Sequence, residues 1–154
     1  MPVSHTVKVL SELVQTSEDG EKGFAEASQE ATRPELKAMF RQRSDDCAMA
    51  AIELQALLQS LGGPPEDRAT VAGTAHRGWA RGNAALADPN FDMLEEGERA
   101  ADKAKAAYLT ALTIKLPEQV RDVVQRQLDD AIRTHDTIRE LRNGYQAADQ
   151  AAIV

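Results

Sequence analysis

Prolines punctuate this chain at Pro34, at Pro64 and Pro65, at Pro89 and at Pro117, and between these points apolar residues recur at helical spacing. A proline has no amide proton to give to a helix and clashes with the preceding turn, so it is accommodated in a first turn or it ends the element. The punctuation therefore cuts the chain into long segments, and the 3.6-residue periodicity within each makes them amphipathic helices. The first is expected from about Ser4 to Ala31. Gly20 and Gly23 weaken its middle by roughly 1 kcal/mol each against alanine, and a break between Ser17 and Gly20 would place Glu21 near a new N-terminus. The second opens where Thr32 and Glu35 have capping-box spacing. It runs through Leu36, Phe40, Cys47, Ala50, Leu54, Leu57 and Leu61 to Gly62-Gly63-Pro64-Pro65. The third opens at Asp88-Pro89 and ends before Pro117. The fourth opens at Pro117-Glu118 and ends near Asn143-Gly144, with an alanine-rich tail that extends or frays it.

The stretch from about residue 62 to 88 is far longer than the usual connection in a compact helical domain. It reads as a crossover carrying a short helix from about Thr70 to Leu86, with Val71, Trp79 and Leu86 facing inward. Two helical hairpins joined by one such crossover define a ferritin-like four-helix bundle, in which the second and third helices run parallel. The fold expectation is thus all-α, a single domain over residues 1–154.

Composition narrows the function classes. A net charge of −7 with a pI near 5.0 and no basic stripe argue against nucleic acid as partner, because phosphate binding needs clustered Lys and Arg. No segment approaches a membrane span, and the first residues lack the basic flank and apolar run of a signal peptide. A cytoplasmic, bacterial protein is expected. Cys47 is the sole cysteine, which excludes an intramolecular disulfide and a thiolate metal cluster; on the inward stripe it reads as an inert buried thiol. Apolar residues off the main stripes, among them Val9, Ile52 and Leu109, leave room for a homodimer face.

Three of the stripes are interrupted by an ionisable residue. Glu21 breaks the row Leu10, Leu13, Ser17, Phe24, Ser28; Glu98 breaks Leu94, Ala101, Tyr108, Leu112; His135 breaks Val124, Leu128, Ala131, Ile138. A buried charge is costly unless paired or bound to metal. With a rise of about 1.5 Å per residue, Glu21 lies roughly 18 Å from the first hairpin turn, and Glu98 and His135 roughly 12 Å from it, within about one turn of one level. The second helix offers Arg43, Asp45 and Asp46 at that level. An interior polar cluster follows, open to three readings: an ion-pair network of Glu21, Arg43, Glu98 and His135, a metal site, or a slipped register that exposes these groups. Carboxylate di-metal bundles use Glu-x-x-His on two helices. No such spacing occurs here, since Ile132 stands three before His135, and the network reading is preferred. His76 and Trp79 read as a packing anchor, or as part of a small-molecule pocket under the crossover. Glu95, Glu96, Glu98 and Asp102 form a mostly solvated acidic face compensated by Lys103 and Lys105.

The sequence resembles a bacterial family of ferritin-like four-helix-bundle proteins known only as a domain of unknown function. The resemblance is carried by Asp19-Gly20-Glu21-Lys22-Gly23-Phe24, by Pro34-Glu35-Leu36-Lys37 with Phe40, and by Glu53-Leu54-Gln55. It continues through Leu61-Gly62-Gly63, Val71-Ala72-Gly73, His76-Arg77-Gly78-Trp79, Glu95-Glu96-Gly97-Glu98-Arg99 and His135-Asp136 with Arg139. It implies the ferritin-like bundle and no established activity. Broader ferritin-like relatives bind iron; their ligands carry over to Glu21, Glu98 and His135, with Asp46 or Glu53 from the second helix and no histidine there, which would make a partial or mononuclear site for iron or another divalent metal. The sequence thus favours a non-enzymatic, stress-associated bundle acting through its surface or by self-association, with a metal-binding oxidase or storage protein as the alternative.

Overall fold

In the computed structural model, residues 2–63 and 88–153 are described, with side chains at 5–63 and 88–145. They form four helices and, among the described residues, no strand: α1 (Pro2–Glu30), α2 (Pro34–Ser60), α3 (Pro89–Ala111) and α4 (Glu118–Ile153). Each proline opening holds. Pro34 and Pro89 sit in the first turns of α2 and α3, and Asp88 caps α3 by accepting from the amides of Asn90 and Phe91 at 3.0 and 3.4 Å. After α2, Gly62 takes a φ of +80°, a conformation that a side chain would strain.

One boundary expectation needs correction and two open ones are resolved. α1 is continuous across Ser17–Gly20. Its glycine is instead a contact point with α2: a Cβ on Gly20 would lie 2.9 Å from the Cys47 Sγ. The capping box does not form. Arg33 is the N-cap of α2 and makes no side-chain cap, while Asn90 of α3 takes over the turn. Its Oδ1 accepts from the amides of Thr32 and Arg33 at 2.8 and 3.3 Å, and its Nδ2 donates to the Thr32 hydroxyl at 2.9 Å. Glu35 pairs with Arg33 at 2.8 Å. Finally, α4 continues past Asn143-Gly144 to Ile153; Gly144 has open space around it, so no packing demand ends the helix there. The crossover helix, with Val71, His76, Trp79 and Leu86, lies outside the described residues.

α1 packs against α2 and α3, and α4 against α3 and, more loosely, α2. Because Asn90 holds the α1–α2 turn, α3 starts where α2 starts. The two therefore run parallel on opposite corners, and Gly63 and Asp88 lie at opposite ends of the bundle.

The apolar stripes form two cores rather than one. Leu10, Leu13, Val14, Leu54, Leu57, Leu58, Tyr108, Ala111, Leu116, Val120, Val124 and Leu128 fill the end near the α3–α4 turn. Phe24, Ala27, Ala31, Leu36, Phe40, Met93, Leu94 and Ile138 fill the end near the α1–α2 turn. In the second core Phe24 stacks on Phe40 with ring centroids 6.2 Å apart, and Gly97 lets α3 approach, since a Cβ there would meet Ile138, Phe24 and Phe40 at 3.3–3.4 Å. Between the two cores the inward positions are small or polar: Ser17 and Gly20 on α1, Cys47 and Ala50 on α2, Ala101 and Ala104 on α3, Gln127, Ala131 and Thr134 on α4. Helix axes stand roughly 8–10 Å apart whatever the residue at the contact, so a level of small side chains leaves volume unfilled.

Candidate functional site: a cavity at the waist

That volume is a cavity of about 900 Å³. It is half open to solvent rather than sealed between the cores, so its concave, ligand-sized surface, and not the cost of an empty void, marks it as the candidate site. Its lining extends from the interior to exposed residues on two sides: Arg99 and Lys103 of α3, and Met49, Ile52, Arg126 and Arg133 of the α2/α4 seam.

A chain of polar groups from all four helices crosses it. The buried Tyr108 hydroxyl donates to Gln127 Oε1 at 2.8 Å. Gln127 Nε2 in turn donates to Glu53 Oε1 at 2.9 Å and approaches the Ala50 carbonyl oxygen at 3.4 Å. Glu53 is closed on its outer side by Arg126, and the Ser17 hydroxyl sits against Tyr108. Burial pushes the Tyr108 phenol up to about 12, with Ser17 opposing the shift. Burial also resists ionisation of Glu53, but the bonds from Arg126 and Gln127 outweigh it and hold this carboxyl below its ordinary value. Beside them, burial and then the charges of Asp46 and Glu21 push the Cys47 thiol up to about 12. A thiolate is the reactive form of cysteine, and this shift disfavours it.

The ionisable residues that interrupt the stripes are distributed over different seams. Glu21 stands on α1 beside α2, where its carbonyl oxygen accepts from Ser44 Oγ at 2.8 Å and its charge reaches Cys47. Glu98 and His135 do meet, on the α3/α4 seam. His135 Nε2 lies 3.8 Å from both Glu98 and Asp102, its Nδ1 3.3 Å from Asp136, and its side chain is 11 % exposed. Arg142 Nε lies 2.9 Å from Glu98 Oε1, a Coulombic pairing whose N–H is not aimed at the oxygen. Arg43, expected to neutralise Glu21 and Glu98, pairs with Asp46 at 3.2 Å and donates to Thr134 at 3.3 Å. Asp46 and Glu53 thus belong to the cavity rim on the α2/α4 seam. Glu96, read as part of a solvated acidic face, pairs with Arg99. Among the described residues no three His, Cys, Asp or Glu side chains converge as a metal site would require.

Tyr108 and Gln127 went unremarked as functional residues in the sequence, and the cavity itself was missed. Its signal was present as a run of inward glycine, alanine, serine, cysteine and threonine at one level of all four helices, hidden because alanine counts as apolar in a stripe without filling it.

No helix among the described residues is long and apolar enough to cross a membrane. No curated protein matches the chain significantly. A family described as a domain of unknown function, DUF2383, matches residues 5–114, a span that takes in α1, α2, the connection and α3 and stops short of α4. The chain belongs to this family.

Proposed function

We propose that this protein is a non-enzymatic, ferritin-like helical bundle that binds a small molecule in its waist. The observation that carries the reading is the cavity of about 900 Å³ between the two cores, within the range of roughly 300–1,000 Å³ typical of ligand pockets. Two antiparallel hairpins with parallel middle helices support the ferritin-like assignment. The non-catalytic assignment is supported by the chemistry of the walls. Cys47 and Tyr108 are both held protonated by burial, and Glu53 is bound on both oxygens. These three groups, which could otherwise attack or abstract a proton, are engaged by the fold, which favours shape and apolar surface as the means of recognition.

The test uses N-phenylnaphthylamine, an uncharged fluorophore that brightens on leaving water, titrated into the intact chain and into Ala104→Leu and Ala131→Leu. Both substitutions put bulk into the cavity from partly buried positions. We expect saturable, one-to-one binding to the parent and a loss of at least tenfold in both variants, each shown folded by circular dichroism. Absent saturable binding to the parent, or affinity unchanged in two folded variants, overturns the reading.

A further inference from the structure

We infer that the waist takes a linear aliphatic chain admitted between α2 and α4; this rests on the binding reading above and names its ligand class. Four observations converge on it. The α2/α4 seam is the loosest of the four, so it is where the walls part most readily. At that seam Met49 and Ile52 are 66 % and 62 % exposed and both line the cavity. Apolar side chains left in water beside an opening are recovered when an apolar ligand slides over them.

Most polar groups of the wall are occupied by one another, Tyr108 with Gln127, Gln127 with Glu53, Thr134 with Arg43, and among the described residues of the lining the one buried side-chain atom without a hydrogen bond is Arg43 Nε. A polar ligand would have to break these bonds to make its own, whereas a hydrocarbon leaves them intact. Four pairs of rim charges cancel, Arg43 with Asp46, Arg126 with Glu53, Arg133 with Asp130 and Arg99 with Glu96, and the remaining charged residues of the lining, Lys103 and Asp19, are opposite in sign. The mouth thus sets up no field that would select a charged molecule.

The lining draws on all four helices. The lining reaches solvent-exposed residues of α3 on one side and of the α2/α4 seam on the other, and between them the walls are Ala50, Ala101, Ala104 and Ala131. Phe24, the one phenylalanine in the lining, is stacked on Phe40. Such walls suit a narrow chain better than a compact or branched body.

Isothermal titration calorimetry of the intact protein with the linear alkanols from hexanol to dodecanol tests this. Affinity is expected to tighten about fourfold per added methylene until the chain outgrows the cavity. Decanol should bind at least tenfold tighter than adamantanol, a compact alcohol with the same number of carbons, and decanoate should gain no more than a few-fold over decanol. In Ala104→Leu the climb should stop at a shorter chain, and in Met49→Ser, a substitution at an exposed position, binding should weaken at every length. Adamantanol binding as well as decanol, or a climb identical in Ala104→Leu, overturns the proposal. If the fluorophore binds the cavity while the alkanols do not, the ligand class is wrong and the binding reading stands; if neither binds, both fall.

Discussion

Replacing Gln127 by leucine is expected to destabilise the fold by about 2–4 kcal/mol, because two hydrogen bonds go, one buried and one partly buried, and their partners stay behind. Leucine is apolar and only one heavy atom smaller than glutamine, so most of the loss is one of polarity rather than of packing. The Tyr108 hydroxyl, on a residue 4 % exposed, is left without the acceptor that holds it at 2.8 Å, and Glu53 loses its inner donor. Removing the other end as well should recover part of the cost. In Tyr108→Phe/Gln127→Leu the orphaned hydroxyl is gone, so the double variant should be more stable than the sum of the single changes implies. Urea unfolding of the four proteins of this cycle measures the coupling. Strict additivity would show that the two groups do not share a bond. The pH dependence has a fixed sign. Since Glu53 is held below its ordinary value of 4.5, its contribution is present above that pH and is lost as pH falls through the depressed value. Its exposure to water keeps the contribution small.

Phe40→Ala should be costlier still, about 3–5 kcal/mol. Phe40 is fully buried and stacked on Phe24, and its ring touches the surface that Gly97 presents. It joins α1, α2 and α3 at one point, and no neighbour can collapse into its place without moving a helix. Phe40→Leu should retain much of the stability. Phe40 belongs to the second core and does not line the cavity. Under conditions where Phe40→Ala remains folded, its fluorophore affinity should therefore stay within a few-fold of the parent. Guanidinium or urea midpoints, read together with the probe titration, separate the two effects.

The parts of this fold that were legible in the sequence are those set by local physics. Pro34, Pro89 and Pro117 mark helix starts because the geometry of proline is intrinsic. Asp88 caps α3 because its acceptors and donors lie within three residues. The parallel run of α2 and α3 followed from the length of their connection. Features decided at long range were not legible. Thr32 and Glu35 have capping-box spacing, but Asn90, far along the chain, satisfies the turn instead. Counting residues placed Glu21, Glu98 and His135 at one height along the bundle; height says nothing of direction around each helix axis, and Glu21 stands beside α2 while Glu98 and His135 meet between α3 and α4. Arg43 likewise sits at the expected level and pairs on its own helix with Asp46. The cavity escaped because a hydropathy pattern records which side chains avoid water and not how much space they occupy.

The central claim is that the waist is a binding chamber, and alanine-methyl NMR with added decanol tests it most directly. Ala50, Ala101, Ala104 and Ala131 line the cavity, whereas Ala27, Ala31 and Ala111 belong to the packed cores on either side. Saturable shifts confined to the first group are the predicted result. Shifts spread evenly over both groups, or none at the waist while decanol is in excess, would contradict the account.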